Sequence, residues 1–229
     1  VGPSFSSTAA SFVTPALPPT SAPAPAPAAA AAPVDPCAAL SGVAKATCEG
    51  SASRTQAVDE AQATRAQALE ACQARTGTAR KRCTTAANAN YRRSVAKANA
   101  VRARDIALAR CDSRTGRSKT LCTSNAKATY SRSIRVATAL RARTIALAGC
   151  SAKRGSARRA CTAVARARYT RSVKVASAIR ARSVARARCQ GLPSARRTRC
   201  VAQANRTYRA KVVAANSQRS RAIARARRG

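Results

Sequence analysis

Histidine, methionine and tryptophan are absent from the 229 residues. Without histidine there is no imidazole to act as general base or to complete a zinc site. Aromatic side chains are few: two Phe, both within the first 36 positions, and four Tyr. Most of the apolar content is alanine, which adds little to a core at roughly 25 cal/mol per Å² buried. Large apolar side chains are scattered Val, Ile and Leu. A globular enzyme around one thick core is therefore not expected. The repeats described by the cysteines hold no paired carboxylates, and there is no glycine-rich phosphate loop. No segment is apolar and long enough to span a bilayer.

Acidic residues are missing from half of the chain. The formal net charge is +37, from 44 Lys and Arg against 7 Asp and Glu. All seven acids lie at or before Asp112, and Ser113–Gly229 holds 31 basic residues and no acid. Internal salt bridges cannot neutralise that half, so its charge opposes compaction unless an outside anion offsets it. Nucleic acid, an acidic wall polymer and an anionic membrane are the candidate anions.

Residues 1–36 contain no Lys or Arg and are rich in Pro, Ala, Ser and Thr, as in "PPTSAPAPAPAAAAAP". Proline at this density favours extended, polyproline-like chain, so this tail is expected to be a spacer or a segment that packs on a neighbouring subunit. The first residue is Val rather than Met, which fits an exported chain that has lost a leader.

Ten cysteines form five pairs with one spacing: Cys37 and Cys48, Cys72 and Cys83, Cys111 and Cys122, Cys150 and Cys161, Cys189 and Cys200. From Cys72 onward the pairs recur every 39 residues, and so do Tyr91, Tyr130, Tyr169 and Tyr208. The first unit is four residues shorter. A fixed period of this size marks an array of identical supersecondary units over residues 37–229. Gly42, Gly77, Gly116 and Gly155 each stand five residues after a leading cysteine, and the fifth unit has Pro193-Ser194 there. Such residues interrupt a helix, so each cysteine-bounded segment (37–48, 72–83, 111–122, 150–161, 189–200) is expected to hold a turn, with the glycine ending the preceding helix. Between these segments run about 28 residues rich in Ala and Arg, each expected to be one helix roughly 42 Å long.

The expected fold is therefore all-α, a tandem array of 39-residue helical hairpins with long antiparallel helices. On one continuous helix, cysteines eleven apart lie about 16 Å from each other, too far to bridge. Folded back at the turn they face each other. Each pair then becomes a disulfide staple worth about 3 kcal/mol, and the set implies an oxidising compartment. Metal binding is not expected, because close Cys-x₂-Cys pairs are lacking. No cofactor is implied.

On the fourth long segment Ala165, Tyr169, Val173, Ala176, Ile179 and Ala187 fall near one side, with Val184 at its edge. This predicts one narrow apolar stripe with tyrosine as its largest plug. Arginines spread over the rest of the circumference. Pairs two residues apart recur as Arg102 and Arg104, Arg141 and Arg143, Arg180 and Arg182, and Arg219 and Arg221. Positions i and i+2 point about 200° apart, so the two members can reach two different anionic strands. Arg166, Arg168, Arg186 and Arg188 add charge along the fourth helix, and Arg225 and Arg227 along the fifth. A second group lies at the turns: Arg80, Lys81 and Arg82; Arg158 and Arg159; Arg196, Arg197 and Arg199. There the exposed N–H groups of a helix start also favour phosphate.

Arginine greatly outnumbers lysine, and its planar fork matches phosphate oxygens. The expected function is a secreted or cell-surface protein that coats or condenses nucleic acid without reading its sequence. DNA is favoured over RNA, and the protein can act as a homo-oligomer or filament subunit. No zinc-finger spacing or aromatic RNA-binding pattern points to base readout. The alternative is a structural or adhesive surface protein that binds acidic polysaccharide, wall polymer or acidic protein. A membrane-active role lacks the broad Leu/Phe/Trp face that insertion needs. If the cysteines were reduced, a nucleoid or chromatin protein would be the corresponding reading.

Overall fold

The structure, a computed structural model, describes residues 35–228. The expectation for the Pro/Ala-rich tail falls on residues that lie outside this range up to position 34. The described chain forms five helices: α1 (Gly42–Gln73), α2 (Gly77–Asp112), α3 (Gly116–Cys150), α4 (Gly155–Cys189) and α5 (Ser194–Arg228). The all-α array of stapled helices is thus observed. The helices are 32 to 36 residues long, longer than the predicted rods, because each begins inside the cysteine-bounded segment, and α1 to α4 run through both of their flanking cysteines.

The turns are correspondingly tight. After Gln73 the chain keeps one right-handed residue, Ala74, and reaches Thr76 in extended conformation at φ −119°, ψ 161°. Gly77 follows at φ +53°. The same sequence of conformations recurs at Thr115–Gly116 and Arg154–Gly155. The glycine therefore opens the following helix instead of ending the preceding one. The chain reverses at the extended residue, and only a left-handed step then aims it back along its neighbour. A Cβ built on Gly116 would meet nothing within 4 Å, so the requirement is for the dihedral angle and not for space. The carbonyl of the leading cysteine anchors each of the four turns between helices, accepting from Arg75, Arg114, Lys153 and Leu192 at 3.0–3.1 Å. The fifth turn reaches the same end without a left-handed residue, through Pro193.

All five predicted disulfides are present, Cys37–Cys48, Cys72–Cys83, Cys111–Cys122, Cys150–Cys161 and Cys189–Cys200, with Cα–Cα distances of 5.5–5.8 Å. Each leading cysteine is buried. No free thiol remains for metal or nucleophilic chemistry.

Each helix packs only on the helix before it and the helix after it. The array is a single row of antiparallel rods, one helix thick, with no central core. This changes the predicted packing pattern. An inner helix needs two apolar stripes, one for each neighbour, and α4 has them. Ala165, Ala176 and Ala187 form one, and Ala167, Ala178 and Cys189 the other, all buried. Eleven residues make almost three turns, so each set stays on one side. The first stripe shares the side of Tyr169, which is covered by Arg143 of α3. The second ends in Cys189, which is bridged to Cys200 of α5. Among the described residues the fully buried positions are alanines and cysteines alone. Small side chains let helix backbones approach closely, but they bury little apolar area per residue.

Two outcomes are expected. Proteolysis without reductant should yield disulfide-linked peptides confined to the five local pairs, and any cross-unit bridge would contradict the row. Replacing Gly116 by Ala should cost about 1–2 kcal/mol in denaturant unfolding, the penalty of a left-handed conformation, whereas Gly116→Asn should cost less.

Candidate polyanion interface

The arginines divide into two populations that the sequence does not distinguish. The first lies between helices. From α1 to α4, Arg54, Arg93, Arg132 and Arg171 recur every 39 residues. Each donates from Nε to a small polar side chain on the next helix: Asn99, Thr138 (3.2 Å), Ser177 (3.1 Å) and Asn216 (2.6 Å). A second series, Arg65, Arg104, Arg143 and Arg182, lies over the rings of Tyr91, Tyr130, Tyr169 and Tyr208 on the next helix. The guanidinium-to-centroid distances are 5.2, 4.8, 5.0 and 4.3 Å. A third points backward, Arg102 to Ser51 (3.1 Å), Arg141 to Asn90 and Arg180 to Thr129 (3.1 Å).

The alternating Arg pairs do point to two sides, but those sides are the two neighbouring helices. Arg102 reaches back to α1 while Arg104 reaches forward to α3, and the pairs in α3 and α4 repeat this. All six are half-buried, as is Arg219, whereas Arg221 on the outer side of α5 is exposed. The tyrosines pack as plugs, as expected, with a cation over each ring. Arg104 also bonds Asp105 at 2.8 Å, and this carboxylate hydrogen bond raises the guanidinium pKa further. Packing does not exhaust these side chains. A guanidinium has five N–H donors, and one bond at Nε leaves the others for an anion.

The second population is exposed. It includes the turn clusters Arg80–Lys81–Arg82, Arg158–Arg159 and Arg196–Arg197 with Arg199. It also includes Arg166, Arg168, Arg186, Arg188, Arg225 and Arg227. Among the described residues only three ion pairs form: Lys45–Glu49, Arg104–Asp105 and Lys119–Asp112. None involves α4 or α5, which have no acid to offer.

Grooves between adjacent rods show the gradient. The α1–α2 groove, ≈340 Å³, holds Arg54, Lys97 and Arg102 together with Glu60 and Asp105. The α4–α5 groove, ≈720 Å³, holds Arg158, Arg159, Arg166, Arg171, Lys174 and Arg219 and no carboxylate. Thr162 and Thr170 add hydroxyls. A further groove of ≈960 Å³ brings Arg80, Lys81 and Arg82 at the start of α2 beside Arg143 of α3. Within it Arg82 spends one donor on the carbonyl of Gly149 at 3.3 Å.

Arg219 is the special member. Arg102, Arg141 and Arg180 each find a hydroxyl or amide at the facing position of the previous helix. Thirty-nine residues after Thr129 that position is Arg168. The Nε of Arg219 is accordingly buried without a partner. Those of Arg143 and Arg182 are also without one, but both guanidiniums lie over tyrosine rings. Arg219 has neither compensation. The periodic tyrosines and small polar residues were the signal for the interhelical arginines. What identifies the role is the mirror register across each turn, which pairs residues 45 or 51 apart.

Comparison of the chain with protein-family models, with curated proteins and with solved structures gives no match.

The two populations should separate by mutation. Arg182→Ala removes a ring contact and should lower stability by about 1 kcal/mol. Arg166→Ala, at an exposed and unpaired charge, should leave the melting temperature unchanged or raised. Equal thermal effects would contradict the division.

Proposed function

We propose that the protein binds the phosphate backbone of nucleic acid, without reading base sequence, along the α3–α5 part of the array. The observation that supports this most directly is the α4–α5 groove, where six cationic side chains converge with no carboxylate. Arg171 and Lys174 donate there to the amides of Asn216 and Gln218, but no acid offsets their charge or that of the other four cations, and a polymer of phosphates supplies the missing counter-charge at regular intervals. Arginine suits phosphate because its fork donates two parallel hydrogen bonds. The tyrosines are occupied between helices, which argues against base stacking as the mode of recognition.

The single-layer architecture also supports this reading. Among the described residues the rods form one row with two broad faces, and the grooves between adjacent rods are open clefts. Among the described residues no helix is long and apolar enough to cross a membrane. Disulfides in this number belong to an oxidising compartment, so the proposed place of action is outside the cell or at its surface. An enzymatic role finds no constellation of acid, base and nucleophile in the site described.

Purified protein should retard duplex DNA fragments of unrelated sequence with similar affinity. If about 6–10 phosphates are contacted, binding should weaken by about 10³–10⁵ between 50 and 200 mM salt. The variant Arg158→Gln/Arg159→Gln/Arg166→Gln should bind more weakly with a shallower salt slope. Affinity that does not change with salt, or binding of acidic polysaccharide but not DNA at equal charge, would overturn the nucleic-acid reading.

A further inference from the structure

Three of the four seams between helices are tied by the same backward-reaching arginine, and the last seam is not. Arg102, Arg141 and Arg180 each donate from Nε to an acceptor on the preceding helix, at Ser51, Asn90 and Thr129. One repeat further on, the donor is Arg219 and the acceptor position is Arg168, which is exposed. Among the described residues the Nε of Arg219 has no partner, although it is shut off from water. A buried donor without an acceptor is destabilising. Turning the guanidinium of Arg219 out of the seam breaks no hydrogen bond and frees that donor to meet an acceptor. The same turn would cost Arg102, Arg141 or Arg180 its bond. Of the four, Arg219 alone can move without that cost.

The space beside it is the α4–α5 groove, one wall of which it forms. The opposite wall suits a chain of oxyanions. Arg159, Thr162, Arg166 and Thr170 follow at intervals of three or four residues and share one face of α4. They alternate guanidinium with hydroxyl over about 17 Å. Both groups donate to phosphate oxygens. Between the walls Ala167 and Ala215 are buried. Among the lining residues there is no aromatic ring to stack a base, and the amide oxygen of Gln218 already accepts from Lys174. The α1–α2 groove is the counterpart in the first repeat, and it contains Glu60 and Asp105. In the 39-residue frame Glu60 becomes Ser177 and Asp105 becomes Ala222. The α4–α5 groove has thus lost both acids and gained an untied arginine.

We propose that this groove is a discrete binding site for a triphosphate group, free or carried by a nucleotide, over which Arg219 closes. A triphosphate concentrates several negative charges on a short flexible chain with acceptor oxygens on all sides. A nucleic-acid backbone carries one charge per phosphate, spread along the strand. Six cations with no Asp or Glu among them match the compact group. A sugar or base beyond the chain meets no ring and no unoccupied amide, so recognition ends at the phosphates. The inference rests on the reading of this groove as a phosphate site, and adds a small ligand that enters it whole.

The test titrates full-length protein, freed of nucleic acid by nuclease, with inorganic tripolyphosphate, ATP, GTP and orthophosphate in a calorimeter. At about 0.15 M salt, exposed charges interact little beyond about 8 Å. Tripolyphosphate and both nucleotides should bind one site per chain with similar affinity, and orthophosphate much more weakly. Arg219→Gln should weaken tripolyphosphate binding by about tenfold, the loss of one charged hydrogen bond. Arg168→Thr restores the acceptor found at Thr129 and ties Arg219 into the seam. It should weaken binding by a similar factor and raise the melting temperature of the ligand-free protein. Arg197→Gln removes the same charge about 33 Å away along α5 and should change neither. Circular dichroism checks that each variant keeps its helicity. Absence of a one-to-one tripolyphosphate site, equal weakening by Arg197→Gln, an Arg168→Thr variant that binds like the wild type, or binding of ATP without tripolyphosphate would each overturn the inference. Wild-type protein that retards duplex DNA but has no triphosphate site would defeat this inference alone. A triphosphate site in protein that does not retard DNA would defeat the nucleic-acid reading alone.

Discussion

Antiparallel pairing locked by a disulfide a few residues from each bend is the constraint from which the rest of the molecule follows. The bridge holds the two backbones 5.5–5.8 Å apart at that point. From there the helices run side by side, and their residues meet in mirror order about the turn. Every interhelical arginine depends on this register. A slip of one residue would rotate Arg93 away from Thr138 and Arg143 away from Tyr169. A covalent lock suits a chain whose contact surface is alanine. It also suits a chain whose charge pushes neighbouring helices apart, because a disulfide does not weaken as like charges accumulate. A thin alanine seam alone would be exposed to that repulsion along α4 and α5.

Arginine consequently serves two purposes in one molecule. Its long apolar stem covers the seam between rods while its head finds a hydroxyl, an amide or a ring on the neighbour. This compensates for the lack of Leu and Phe in the usual core positions. The same head retains donors that face outward, and exposed arginines lie beside it in the grooves. The balance between the two uses changes along the row. Near α1 the acids neutralise part of the charge. By α5 even an interhelical arginine, Arg219, faces Arg168 instead of an acceptor. The molecule is polar from end to end in charge, although its fold is nearly periodic. The proposed function draws on that polarity, with the α4–α5 groove as a place for phosphate.

Much of the architecture was legible in the sequence because the repeat is covalent in its marks. Cysteines at a fixed spacing with a helix-interrupting residue between them leave few geometries, and the hairpin staple is the one that satisfies bond length. The role of the glycine was only partly legible. Its need for a left-handed angle is a property of the residue, but whether that angle closes one helix or opens the next depends on the path of the turn. Similarly, the four-residue shortening of the first unit is harmless because it removes about one helical turn and preserves the face.

Composition and periodicity by themselves determined that the chain is a stapled array of basic helices, since those properties follow from bond geometry, helix propensity and charge. They also established that no internal acid balances the second half. Which arginines are tied up, and which are free, was decided only by the tertiary structure. Tyr169 and Arg143 are 26 positions apart and have no local relation; they meet because two helices fold past each other. The replacement of one apolar stripe by two has the same origin. A sequence shows which residues share a side of a helix, but the number of neighbours that helix has is settled only when the rods assemble into a row.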